Sequence, residues 1–387
     1  MRRRCYLAAF LAAGGLVSAA GAAARPSAGP NAWPGDQRAL AFLWNDASRQ
    51  NRIAGPAGKP GPTCRVRARG RARLYRFHDM DLAGGAFLAE GADARLLAAC
   101  TAAGRLTIEA VVTPAGVTAK RDGSIVSFSG DASGPNFALL QRADRLLLRL
   151  RTAGGGSGGA EATLCKLNAG RPQHVIVTYA DGQTACYLDG ARASVSRGFR
   201  GDLSNWTPQH LLFGDEWNGG RDWAGRLEGI ALYARSVGAD EARRKGALYA
   251  HRLAERKPAE RIVLTGKLTE KTPTPTVKSI RPYRQCLAVY TYRVEKVHEG
   301  QYDDRKILVA HWVIMDAKPL GWSRQAGRSY RLAVEPAADH PQLATERKMM
   351  VQQELDLEIY YDVETPALAG DKGRAGNKPR PAAKSSR

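Results

Sequence analysis

Three carboxylates spaced two apart, Glu354, Asp356 and Glu358, are the residues best typed for direct chemistry. On a strand they project from one face. Carboxylates gathered like this can supply the nucleophile and the acid/base of glycoside cleavage. The interleaved Leu355, Leu357 and Ile359 fit equally well an amphipathic edge strand with a solvated acidic side. A second group lies in Asp215-Glu-Trp-Asn-Gly-Gly-Arg-Asp-Trp223, which mixes carboxylates, an amide, a guanidinium and indoles. Sugar sites use that mix: flat rings for C–H faces, planar polar groups for hydroxyls. Trp206, on a nearby turn, joins Asp215, Glu216, Trp217, Arg221 and Trp223 as ligand-binding candidates. The structural alternative is that Trp223 packs the loop and Asp222 pairs with Arg221. Asp131, Asn136 and Asp181 are candidate calcium ligands, because calcium gathers oxygens from loops. Turn Asp and Asn need no metal, however.

Other chemistry finds less support. His298, His311 and His340 have no Ser or Cys nucleophile motif beside them, and His174, at the start of a strand, resembles a packing position. The Gly-Ser run at 154–159 lacks the Gly-Lys-Ser/Thr of a phosphate loop and reads as a flexible connection.

The elements that must position these groups are short strands. Candidates are 64–68, 73–77, 106–112, 123–129, 137–142, 145–151, 161–167, 173–180, 184–188, 210–214 and 225–233. Asp122-Gly123, Asp181-Gly182 and Asp189-Gly190 read as turns that want positive φ. In the last of these strands, Leu227, Gly229, Ala231 and Tyr233 share one predicted face, and Glu228, Ile230 and Leu232 the other. A basic helix over 239–253 closes the first domain. A second β-rich unit follows, with strands at 262–269, 287–297, 306–314, 329–336 and 355–363. The fold class is therefore all-β: an antiparallel sandwich, then a small barrel or sandwich with the OB type as one candidate. Domain bounds are 1–24 (signal peptide), 25–62 (linker with a short helix at 37–48), 63–255, 260–365, and a disordered basic tail at 366–387.

The ends and the composition set the context. Arg2-Arg3-Arg4, an apolar core from Tyr6 to Val17 and small residues at 20–24 form a secretory leader. The apolar run is short of the roughly 20 residues that span a bilayer. No later segment is apolar enough to cross one. The expected location is periplasm, cell envelope or outside the cell. Net charge is +21, and this favours acidic partners, reached through the surface and the tail. The basic residues are scattered and the chain is exported, which argues against nucleic acid. Solubility in an acidic envelope is the plainer reading of the same charge. Cys64, Cys100, Cys165, Cys186 and Cys286 outlast cleavage, and export permits disulfides. Cys165 and Cys186 sit on neighbouring strand-like segments and form the favoured pair, with buried free thiols as the alternative. No Cys-x-x-Cys occurs, so zinc is not expected.

Residues from about 74 to 248 resemble the laminin-G-like jelly roll of the concanavalin A-like lectin/glucanase superfamily. The similar segments are Leu106-Thr-Ile-Glu-Ala110, Asn136-Phe-Ala-Leu-Leu-Gln141 with Leu148-Arg-Leu-Arg-Thr152, and His174-Val-Ile-Val-Thr-Tyr179 through Tyr187-Leu-Asp-Gly190. Phe213-Gly-Asp-Glu-Trp217 and Trp223-Ala-Gly-Arg-Leu-Glu228 complete the match, in family order. Val111 stands where that family usually has an aromatic. The resemblance implies a sandwich with calcium at its rim in some members. Family-16 glycoside hydrolases share the superfamily and use a period-two carboxylate triplet. Here Glu354, Asp356 and Glu358 lie outside the matched region. The expected function is an exported non-catalytic module binding glycan or envelope protein. A glycan-active enzyme using that triplet and a structural envelope scaffold are the alternatives. Mass spectrometry of protein from the envelope fraction should find an N-terminus between Ala22 and Arg25; an intact Met1 or Arg2 would refute the leader.

Overall fold

Apolar runs broken by Asp-Gly pairs fold the chain into antiparallel hairpins. The structure, a computed structural model, describes residues 34–44, 51–52, 63–74, 79–130, 134–155, 158–255, 260–321, 324–340, 343, 346–351 and 357–364. The segments expected as a signal peptide and a basic tail lie outside these residues. The first domain runs β1 (Leu40–Trp44), β2 (Asn51–Arg52), β3 (Thr63–Gly70), β4 (Arg73–Leu74), β5 (Met80–Asp81), β6 (Gly85–Glu90), α1 (Asp93–Ala103), β7 (Leu106–Pro114), β8 (Thr118–Ser129) and β9 (Phe137–Ala143). It continues with β10 (Arg145–Leu150), β11 (Ala160–Lys166), β12 (Gln173–Ala180), β13 (Gln183–Leu188), β14 (Ala191–Ser196), β15 (His210–Phe213), β16 (Gly225–Tyr233) and α2 (Ala239–Ala254). One layer is ordered β14-β13-β12-β7-β16-β1 and the other β11-β10-β9-β8-β15-β6-β3, with β2 bridging them. This is a jelly-roll sandwich. The β12–β13 turn has positive φ at Asp181 (52°) and Gly182 (79°), and the β13–β14 turn at Asp189 (51°) and Gly190 (83°). Both central residues of each turn thus match the hairpin type that Asp-Gly favours.

Three local expectations need correction. The helix expected at 37–48 is strand β1 where it is described, paired with β16 from Leu40↔Tyr233 to Trp44↔Ile230. Both its faces are buried. Phe42 and Trp44 enter the sandwich core, while Leu40 and Leu43 face the layer under α2. A run apolar on both sides has no period to mark it as a strand. Asp122-Gly123 is not a turn but part of β8, where a Cβ on Gly123 would come 2.9 Å from the Trp223 ring. In β16 the register shifts between Leu227 and Gly229. This bulge puts Leu227 on the core side with Ile230 and Leu232, and leaves Ala231 and Tyr233 beneath α2.

Helix α2 covers the outer side of the β12-β7-β16 layer through a buried polar cluster. Lys245 Nζ sits 2.8 Å from Glu109 Oε2 and 2.9 Å from Tyr233 OH, and also reaches the Pro34 carbonyl. Glu109 Oε1 meets His174 Nε2 at 2.9 Å. Lys245 and Glu109 are 2% and 0% exposed, so neither charge has water to fall back on. Burial works against the Glu109 charge, but His174 and Lys245 outweigh it and hold the carboxyl below its usual range.

The second domain runs β17 (Ile262–Lys271), β18 (Cys286–Glu299), β19 (Lys306–Met315), β20 (Lys318–Pro319), β21 (Ser329–Pro336), β22 (Arg347–Met349) and β23 (Ile359–Asp362). Strands β17-β18-β19-β23-β21 close on β17 as a five-stranded barrel, with β19 and β23 parallel. The closed Greek-key order is that of an OB barrel. Alternation along β19 sends Leu308, Ala310 and Trp312 to one buried cluster and Ile307, Val309 and Val313 to another.

The two domains meet through β3, β4 and the chain just after them. Arg73, 8% exposed, donates to Asp81 Oδ2 at 3.0 Å in its own domain. It also donates to Tyr361 OH at 3.2 Å and the Val363 carbonyl at 2.8 Å in the barrel. The Gly70 amide reaches Asp316 Oδ2 at 3.3 Å. Removing one partner of a buried pair strands the other charge, so Glu109→Gln should cost about 3–5 kcal/mol in urea unfolding near pH 7. Glu109→Gln with Lys245→Met should recover part of that loss. The Glu109 pKa is depressed in the fold, so its contribution is present above the unfolded carboxylate range. It is lost as pH falls through the folded value, and the Glu109→Gln deficit should shrink there.

Candidate functional site

The 215–223 loop is built on β15 and β8. Gly214 takes φ 96° to leave β15. Asp215 Oδ1 then accepts from the Glu216 amide at 2.8 Å and the Arg221 amide at 2.9 Å. The Trp223 amide donates to the Gly214 carbonyl at 2.9 Å and closes the loop. Gly219 and Gly220, at φ 75° and 87°, turn the chain back. Asp215, Glu216, Trp217 and Arg221 thus share one loop, and its charges face one another. Arg221 Nη1 pairs with Asp122 at 3.1 Å, and its Nε lies 3.1 Å from Glu216 Oε1. Arg142 spans Asp122 and Glu161, each at 2.8 Å. Burial pushes the Glu216 carboxyl up, although Arg221 and Arg149 pull it down.

The three Trp residues separate by role. Trp223 is fully buried, with its Nε1 donating to Gln141 Oε1 at 2.7 Å. Trp206 is 6% exposed, gives its Nε1 hydrogen to the Arg151 carbonyl at 2.8 Å, and meets Phe128 edge-on. Both belong to the core, so neither presents a ring face to a sugar; as ligand-binding candidates they are corrected to core residues. Trp217 is half-buried at the surface, stacked on His210 at 3.9 Å, with the Arg69 guanidinium 4.4 Å from its ring centre.

The calcium candidates are engaged separately. Asn136 is buried, and its amide group binds the Thr207 carbonyl at 2.7 Å and the Thr207 amide at 3.2 Å. Asp181 is exposed at a hairpin tip and pairs with Arg105 at 3.2 Å. Asp131 lies outside the described residues. Among the described residues no group of three or more His, Cys, Asp or Glu could hold a metal. Glu354 and Asp356 also lie outside the described residues, and Glu358 is exposed just before β23.

Cys165 on β11 and Cys186 on β13 are buried free thiols whose side chains hydrogen-bond to each other. They meet across the sandwich, since β11 and β13 belong to opposite layers, and not as neighbours of β12 in one sheet. Their mutual hydrogen bond holds Cys165 below the ordinary thiol range and, with burial, Cys186 well above it. Cys286 is buried alone, and burial pushes it up to about 11.

One feature escaped the sequence reading: the row Arg65, Arg67, Arg69 along β3. Val66 and Ala68 pack on the sandwich core, so the alternating Arg residues face outward. Arg65 and Arg67 edge a groove of about 290 Å³ between the domains, whose lining also includes Tyr283, Arg284, Trp312 and Asp316; Arg69 lies over the Trp217 ring instead. The alternation R-V-R-A-R was readable; that a second domain stands opposite it was not.

Residues 90–243 match the Laminin_G_3 family model, described as the concanavalin A-like lectin/glucanases superfamily. No curated protein matches the chain. Among solved structures, a botulinum neurotoxin DC binding domain in complex with rat synaptotagmin II is 10% identical, with TM-score 0.44 over 78% of this chain and 75% of that one. Domain 4 of AbnA, a GH43 extracellular arabinanase of Geobacillus stearothermophilus in complex with arabinotriose, is 12% identical, with TM-score 0.38 over 54% and 98%. A heptameric SAP-like pentraxin of Limulus polyphemus is 17% identical, with TM-score 0.30 over 36% and 68%. The first domain is a laminin-G-like jelly roll. Air oxidation of the folded protein should join Cys165 to Cys186, read as a cross-linked peptide after digestion. Reducing that bond should lower stability by about 3 kcal/mol, and Cys165→Ser should abolish both effects.

Proposed function

We propose that the chain is an exported, non-catalytic binding protein that recognises carbohydrate in the cell envelope. The observation that carries this reading is the state of the 215–223 loop. Two of its three carboxylates are tied by Arg side chains or backbone amides: Asp215 is held by two amides and Glu216 lies beside Arg221. Groups fixed like this form a rigid polar surface and are poorly placed to pass a proton to a leaving group. Trp217, His210 and Arg69 add an aromatic and cationic patch beside it. A lectin-type jelly roll supports carbohydrate as the ligand class, although a fold alone does not fix a function.

A glycan array with the leaderless chain should show carbohydrate binding that survives chelation of calcium. Incubation with the bound glycans should release no new reducing ends. Glu354→Gln with Glu358→Gln should leave binding unchanged. A cleaving activity abolished by those changes would replace this reading with a glycan-active enzyme.

A further inference from the structure

The sandwich and the barrel together make a surface that neither has alone. Arg65, Arg67 and Arg69 point to one side of β3 at a repeat of about 7 Å. Only part of this charge is answered. Arg67 Nε meets Glu90 at 2.7 Å, and Asp316 is held by Arg284 and the Gly70 amide. Arg65 is exposed and makes no side-chain ion pair among the described residues. Arg69 stands beyond the groove over Trp217, where burial and then Arg67 push its guanidinium down against the pull of Asp316 and Glu90. Across the groove stand Tyr283, 45% exposed, with Arg284 and Gln285.

We propose that this interdomain groove binds a segment of acidic polysaccharide, a sugar chain bearing carboxylate or sulfate groups. The proposal rests on the reading of the chain as a carbohydrate-binding protein and names its ligand class and place. Arg forks match planar or tetrahedral oxyanions. The exposed Tyr283 ring offers a flat face to a sugar. The lining also holds Asp316, Glu346 and Gln285, which accept hydrogen bonds from hydroxyls. A sugar chain carries such hydroxyls beside its anionic groups, whereas a DNA backbone carries phosphates with no free hydroxyl to give these acceptors. An anionic bilayer would have to reach into a cleft between two domains, where a single flexible chain fits better.

The test is calorimetry on the full chain after leader removal, with polygalacturonate, dextran sulfate, neutral dextran, poly-dT and phosphatidylserine vesicles as probes. Polygalacturonate or dextran sulfate should bind, more weakly as salt rises. Arg65→Glu should weaken that binding about tenfold, as for loss of one charged hydrogen bond. Arg65→Lys should keep most of it, and Tyr283→Ala should lose several-fold. Both positions are exposed, so thermal melting should match the parent and exclude misfolding. Acidic-glycan binding indifferent to Arg65→Glu and Tyr283→Ala overturns the proposal. So does tighter, Arg65-dependent binding of poly-dT or vesicles. If only neutral glycans bind, the groove assignment fails and the carbohydrate reading stands. If no glycan binds at all, both fail.

Discussion

The buried guanidinium of Arg73 sets how the two domains stand against each other. It lies on β4, which joins β16 through β5, and donates into both domains at once: Asp81 on one side, Tyr361 and the Val363 carbonyl on the other. Burial opposes its charge, and Tyr361 and Asp81 more than restore it. A cation in that position tolerates little displacement, because each lost partner leaves part of the charge unsolvated. Tyr361 is fixed in turn by the indole hydrogen of Trp312 at 2.9 Å. The groove beside Trp312 and β3 therefore has walls of defined spacing.

Two glutamates show how one side chain serves opposite ends. Glu109 lies under α2 with His174 and Lys245 against it, stays charged, and locks the helix to its sheet. Glu216 lies near the surface with Arg221 and Arg149 nearby, yet burial wins and raises it. The difference is geometric. Glu109 takes a hydrogen bond from Lys245 at 2.8 Å and meets His174 at 2.9 Å, whereas Glu216 has Arg221 at 3.1 Å and Arg149 at 3.8 Å without a hydrogen bond to its Oε1 among the described residues. The same comparison explains the loop's Trp residues. Trp223 fills the space above Gly123, and Gly225 leaves room for the far edge of its ring. Trp217 stays at the rim because its backbone amide is pinned to Ser129 Oγ.

Hairpin strands were legible wherever a period and a turn coincided. The expected 173–180 and 329–336 segments are β12 and β21, and the OB-type barrel follows from alternation that fills two clusters at once. Where the pattern loses its period, the sequence misleads. Leu40–Trp44 is apolar on both sides, and the bulge at Glu228 exchanges the faces that simple alternation assigns. Helix α1 carries only Leu96 and Cys100 into the core and leaves little amphipathic trace. The site was half legible. Residue type located the 215–223 loop, but it cannot tell a Trp that fills a core from one that meets a ligand. A groove between domains exists only once both have folded.

The pairing of β1 with β16 imposes an order in time. Leu40–Trp44 is among the first described segments to leave the ribosome, and its partner at Gly225–Tyr233 comes nearly two hundred residues later. Until then, among the described residues, these five apolar residues have only the single pairing of Leu43 with Arg52 on β2. Long-range pairings of this kind fold slowly and leave sticky surface open meanwhile. The nascent chain thus carries an apolar segment that stays open until its late partner arrives. The jelly roll cannot close over that segment before β16 has been made.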